Sequence, residues 1–417
     1  MTTINGLPYY ELVFNADARL DPTLGDGGLR DAVKAGGITD VFVFSHGWNN
    51  GVDSARDLYT SMFTLIADQL GARRAGCVAA GVLWPSLLFP DDDPKTAPPV
   101  PSTGSELAAA LAPAFPDQQQ NLTTLGQLLD SSPQQGAKLS EFHNLATGLV
   151  TTPGQGEEDD GPAALLNSNP AAVLGHAAAM APAPVGDAQG IGNPFTGLWS
   201  GAREVLRTLS YYEMKNRAGV VGKDGLGPLL GSLDGPRIHL IGHSFGARLV
   251  SYALAGLPAE AAGPASPVKS LTLIQGAFSH FAFASELPFD RNRGGGLAGC
   301  ARKVDGPLIA TFTAADRAVG WWYPTASMLS RQDSQGVDEL AYRWGAMGHD
   351  GYQQNPAALA MPLAEPGKPY EFAATGFYAL DSNDVINTLQ STFSGAHSDI
   401  RHPEVAWAIV SAAGLGH

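Results

Sequence analysis

The sequence predicts an α/β fold, a mostly parallel sheet with helices on both faces. Two observations carry that expectation. Short apolar runs rich in β-branched residues alternate with longer amphipathic runs along the chain. At Gly242-His243-Ser244-Phe245-Gly246 one such pair is joined directly: the strand-like run Arg237–Ile241 gives way within a few residues to a helix-like run from Ala247 to Leu254.

Taken in order, Tyr9–Phe14 reads as a strand and Val41–Phe44 as a short buried one. Asp53–Leu70 has a helical period, with Leu58, Phe63, Leu65, Ile66 and Leu70 on one side and Asp53 or Ser54 as its expected cap. Cys77–Leu83 is the next strand. A helix is expected over Leu198–Arg217. Leu271–Ile274 and Leu308–Phe312 are further strands, and Val405–Ala413 is a closing helix. The stretch 87–194 breaks this rhythm. It holds Asp91-Asp92-Asp93-Pro94, Pro98-Pro99-Val100-Pro101 and Glu157-Glu158-Asp159-Asp160, with apolar patches such as Glu106–Leu111 between. It reads as an insertion of loops and short helices, in the manner of a cap over a site, on a core formed by 1–86 and 195–417. Its acidic runs lack metal-ligand spacing and read as solvated loops.

Composition narrows the classes. With 44% apolar residues in 417 positions, the chain can bury a large core. The net charge is −15, from 25 basic and 40 acidic side chains. That disfavours nucleic acid and anionic membranes as main partners. Two cysteines, Cys77 and Cys300, make no disulfide framework. No signal peptide and no transmembrane run is visible, so the expected location is cytoplasmic, with export by a route without a cleaved signal left open.

The chemistry is expected at strand ends. In a chain with 50 glycines the pattern G-x-S-x-G discriminates little by itself, and its flanks carry the argument. Strand, tight turn and helix expose a serine on a strained bend, and the helix start aims free N–H groups at it. Ser45-His46-Gly47-Trp48-Asn49 follows the Val41–Phe44 strand and turns sharply at its end. Asp316 follows the Leu308–Phe312 strand; Asp305 lies at that strand's other end. His397 sits among small residues, Ser394-Gly395-Ala396-His397-Ser398, before the last helix. His402, followed by Pro403, reads as helix initiation, and His349 is a third choice.

These blocks, in the order 46, 244, 316, 397, resemble the α/β-hydrolase superfamily of the serine lipase and esterase type. The resemblance covers the blocks and the rhythm between them, not 87–194 or 325–375. It implies Ser244 as nucleophile, His397 as base and Asp316 as the carboxylate that orients it. It implies backbone N–H groups of Trp48 and Phe245 as the oxyanion hole, with His46 holding the loop or bordering the pocket. Aromatic side chains at the strand-end side, Phe278, Trp321 and Trp322, are expected to line an apolar substrate pocket. The expected activity is hydrolysis of small or lipid-like carboxylic esters through an acyl-enzyme, without metal or organic cofactor. A phospholipase, thioesterase or acyltransferase with the same residues, and a non-catalytic binding module of the same fold, are the alternatives. Oligomeric state is not legible.

Overall fold

In the computed structural model, residues 2–48, 51–86, 101–151, 169–180, 194–319, 342–343, 345–354, 356–373, 375–390 and 394–416 are described. Among these residues nine strands form one sheet. They are β1 (Thr2–Ile4), β2 (Leu7–Val13), β3 (Asp40–Ser45), β4 (Cys77–Leu83), β5 (Arg237–His243), β6 (Val268–Ile274), β7 (Pro307–Phe312), β8 (Leu359–Pro362) and β9 (Gly376–Asp381). Their spatial order is β1-β2-β4-β3-β5-β6-β7-β9-β8. Of the pairings between these strands, the β1–β2 pairing alone is antiparallel.

The helices are α1 (Leu29–Ala35), α2 (Val52–Leu70), α3 (Gly104–Leu111), α4 (Gln119–Ser131), α5 (Gly136–Thr147), α6 (Pro170–Met180), α7 (Pro194–Val220), α8 (Gly227–Gly231), α9 (Phe245–Gly256), α10 (Met347–Asp350) and α11 (Pro403–Ala412). Two cores flank the sheet, and the strand period of two sorts side chains between them. Val41 and Val43 face one core with α7, α9 and the helices of the insertion. Phe42 and Phe44 face the other with α2 and α11. Coverage of both faces explains why β4 reads as an unbroken apolar run and is buried along its whole length.

The expected strands and helices between Tyr9 and Ala413 are present with small shifts of their ends. One local expectation is corrected. α2 is not capped by Asp53 or Ser54; it begins one residue earlier, with Gly51 at the cap and no side-chain cap. Asp53 instead occupies the first turn, where a carboxylate meets the positive end of the helix dipole. The described part of the insertion is helical. α3 starts at a reciprocal capping box between Thr103 and Glu106, reinforced by Asp130, whose carboxylate accepts from the Gly104 and Ser105 N–H groups at 2.6 and 3.0 Å. Leu107, Leu122, Leu125, Phe142 and Leu174 from these helices join the α7 and α9 core. The acidic runs 91–93 and 157–160 lie outside the described residues.

The strand order sets where a ligand can enter. After β3 the chain crosses to β4 on one side, and β5 then lies on the other side of β3. α2, which follows β3, and α9, which follows β5, pack on opposite faces. Chain segments leave in opposite directions at the carboxyl ends of β3 and β5, the place where open α/β sheets generally take a ligand. Ser45 pairs with Gly242 there, and His243 with Ile274, so the ends of β3, β5 and β6 lie side by side.

Candidate active site

Ser244 stands at the β5–α9 junction with φ 58 and ψ −123. That region is costly for a residue with a side chain, at roughly 1–3 kcal/mol, and persists only where the surroundings fix it. Here they do. The Ser244 N–H donates to the Ile274 carbonyl at 3.1 Å, and its carbonyl accepts from Ala247 and Ala277. The flanking glycines are required by close approach. A Cβ on Gly242 would strike Gly246 and Ala247 backbone, and one on Gly246 would strike the carbonyls of Ser45 and His46. The elbow is thus wedged against the end of β3. The Phe245 N–H, at the first turn of α9, donates to no group among the described residues.

The β3 loop lies directly on the serine. A Cβ on Gly47 would overlap that of Ser244 and come within 3.0 Å of Ser244 Oγ. His46 fixes this loop. Its backbone N–H donates to the Tyr59 hydroxyl at 3.0 Å, and Tyr59 donates in turn to the Val82 carbonyl. Its carbonyl accepts from Trp84 Nε1 at 3.1 Å, and its ring stacks on Trp84 with centroids 5.6 Å apart. Burial pushes the imidazole down to about 4. His46 is therefore neutral at neutral pH and packs as part of the core. Trp48 continues the loop, its ring 6.0 Å from that of Phe245 and 5.4 Å from that of Tyr211 on α7. Tyr211 also meets Phe245 at 4.8 Å.

His397 and Asp316 come together from 81 residues apart. His397 Nδ1 donates to Asp316 Oδ2 at 2.7 Å. Asp316 is fully buried, His397 nearly so. An acceptor carboxylate at Nδ1 places the proton there and leaves the lone pair on Nε2, which makes no hydrogen bond among the described residues. Ser244 Oγ and His397 Nε2 are not hydrogen-bonded to one another. Proximity comes through the neighbour: the His243 ring lies 4.9 Å from that of His397. His243 Nε2 donates to the His397 carbonyl at 2.9 Å. Burial holds the His243 imidazole down at about 3, so it clamps the histidine loop without adding charge beside it. The loop approaches Asp316 through Gly395, at φ 60, whose absent Cβ avoids the Ala315 carbonyl.

The other candidates make no hydrogen bond to Ser244, Asp316 or His397 among the described residues. His402 caps α11 with Pro403 in the first turn and pairs with Asp399 at 3.0 Å. His349 lies in α10. Asp305 pairs with Lys269 at 2.7 Å at the opposite end of the sheet. Phe278 is fully buried in the α7 and α9 core, and its carbonyl accepts from the Met347 N–H. Trp321 and Trp322 lie outside the described residues. Three residues that bear on the site were not singled out from the sequence: His243 within the motif, Gln275 at the end of β6, and Tyr211 on α7. Nothing in the local pattern marks the last two, because both reach the site through tertiary packing.

Among the described residues no group of three or more His, Cys, Asp or Glu side chains is placed to hold a metal ion. No described helix is long and apolar enough to cross a membrane. Compared with models of known protein families, with curated proteins and with solved structures, the chain finds no match.

Proposed function

We propose that the chain is a serine hydrolase of the α/β-hydrolase kind, cleaving carboxylic esters through an acyl-enzyme. The observation that carries the reading is the convergence, at the carboxyl ends of β3 and β5, of a strained serine and a buried His397–Asp316 pair. A serine hydroxyl is a weak nucleophile unless a base takes its proton as it attacks. His397 Nε2 is the base of the proposal, with Asp316 holding the reactive tautomer and stabilising the imidazolium. The missing Ser244–His397 hydrogen bond does not count against it, since such bonds often tighten only with substrate bound. The N–H groups of Phe245 and Trp48 hold the oxyanion, and Gly47 gives that loop its contact with the serine.

The core helix α7 borders the site through Tyr211, which touches both Trp48 and Phe245. In this reading α3–α6 of the insertion form a cap packed on α7, and the aromatic wall of Trp48, Tyr211 and Phe245 favours an apolar acyl or alcohol part. Neutral donors and one buried carboxylate suffice for this chemistry, so the reading requires no cofactor. The test is pre-steady-state hydrolysis of p-nitrophenyl acetate. An acyl-enzyme gives a burst of about one p-nitrophenol per chain before the linear phase. Binding without turnover would leave the protein as a binding module, against the proposal.

A further inference from the structure

We infer that Gln275 is a positioning residue for Asp316, fixing the carboxylate so that Oδ2 faces His397 Nδ1. The inference rests on the His397–Asp316 pair acting as proposed above. Gln275 directly follows β6 and is fully buried. It holds φ 46, a left-handed backbone conformation, one strand over from the strained Ser244. Gly348 makes room for it: a Cβ there would come within 2.7 Å of Gln275 Cα.

Both amide hydrogens of the side chain are used. Its Nε2 donates to Asp316 Oδ2 at 2.9 Å and to the Gly348 carbonyl at 3.1 Å. Its Oε1 accepts from the Thr311 hydroxyl at 2.9 Å. The amide orientation is fixed by the backbone. The Gln275 N–H donates to Thr311 Oγ1 at 3.1 Å, so the Thr311 proton is directed to Oε1. A flipped amide would set Oε1 against two acceptors. Asp316 thus receives three donors: Gln275 and His397 on Oδ2, and the Val319 N–H on Oδ1 at 3.2 Å. Gln275 and Val319 do not titrate, so the two donors they offer Asp316 are present at every working pH. A neutral donor sharing an oxygen with His397 aims that oxygen without competing as a cation for the imidazole.

Two variants test this. Gln275→Leu keeps the approximate size and removes the donor. Its kcat on p-nitrophenyl acetate is expected to fall on the order of 10²-fold with KM nearly unchanged, as for a misplaced catalytic group. Gln275→Glu sets a second carboxyl against Asp316, and the two share a proton. At low pH the introduced carboxyl is protonated and donates in place of the amide. As pH rises that proton leaves and repulsion spoils the alignment. The ratio of variant to wild-type kcat is therefore expected to fall steadily from about pH 5 to about pH 8. A ratio that does not change with pH overturns the inference, as does a Gln275→Leu protein keeping more than half of wild-type kcat. A readout independent of turnover is the low-field proton resonance of His397 Nδ1–H, assigned by its loss in His397→Ala. It is expected to shift or vanish in Gln275→Leu; an unmoved resonance overturns the inference even if the chain hydrolyses no ester. Conversely, a wild type with the resonance but no burst refutes the hydrolase reading and leaves the positioning claim standing.

Discussion

Ser244→Ala is expected to lower kcat on an activated ester by roughly 10³-fold or more while leaving the fold intact. The fold should survive because Ser244 Oγ supports no contact that holds the elbow. The bonds to Ile274, Ala247 and Ala277 are made by the Ser244 backbone, and alanine keeps them. The backbone strain is the same for both residues, since each carries one Cβ. Far-ultraviolet circular dichroism and thermal melting should therefore match wild type while turnover disappears. Retention of more than a tenth of the wild-type rate would remove Ser244 as nucleophile.

His397→Ala is expected to match that loss, and Ser244→Ala/His397→Ala to be no worse than either single variant. A base has no effect when the nucleophile it serves is gone, so the two act as one unit and their effects do not add. The fold argument is less simple here. Asp316 would lose one of its donors and stay buried with Gln275 and Val319 alone. An uncompensated buried carboxylate destabilises, so His397→Ala should melt lower than Ser244→Ala. Kinetics at a temperature well below both transitions separates the two consequences. Additive losses, or an active His397→Ala beside an inactive His349→Ala or His402→Ala, would require a different base.

Much of the sheet was legible because its strands are buried on both faces. β4 and β7 read as continuous apolar runs, and their ends fall within a residue or so of the expected ones. β1 and β8 were not legible. Thr2–Ile4 is three residues long, and Leu359–Pro362 is an exposed edge strand ending in proline, so neither carries a periodic signal. β9 has the signal, in Phe377 to Leu380, but it lies in the shadow of a Pro- and Gly-rich stretch. At the site, Ser244, Asp316 and His397 were readable because each follows a turn signal at a strand end or before a helix. The pairing of the last two, 81 residues apart, came from the resemblance and from no local pattern. Gln275 was invisible for a different reason. Its role depends on Thr311 and Gly348 from other segments, and a glutamine after a strand has no pattern of its own.

The most direct measurement of the central claim is covalent labelling with a fluorophosphonate probe, followed by mass spectrometry of the modified peptide. Such a probe reacts with a serine only when a base activates it and donors hold the developing phosphoryl oxygen. The account predicts stoichiometric modification of Ser244, abolished in His397→Ala and slowed in Gln275→Leu. No labelling under conditions where the chain is folded, or labelling at any residue other than Ser244, would contradict it.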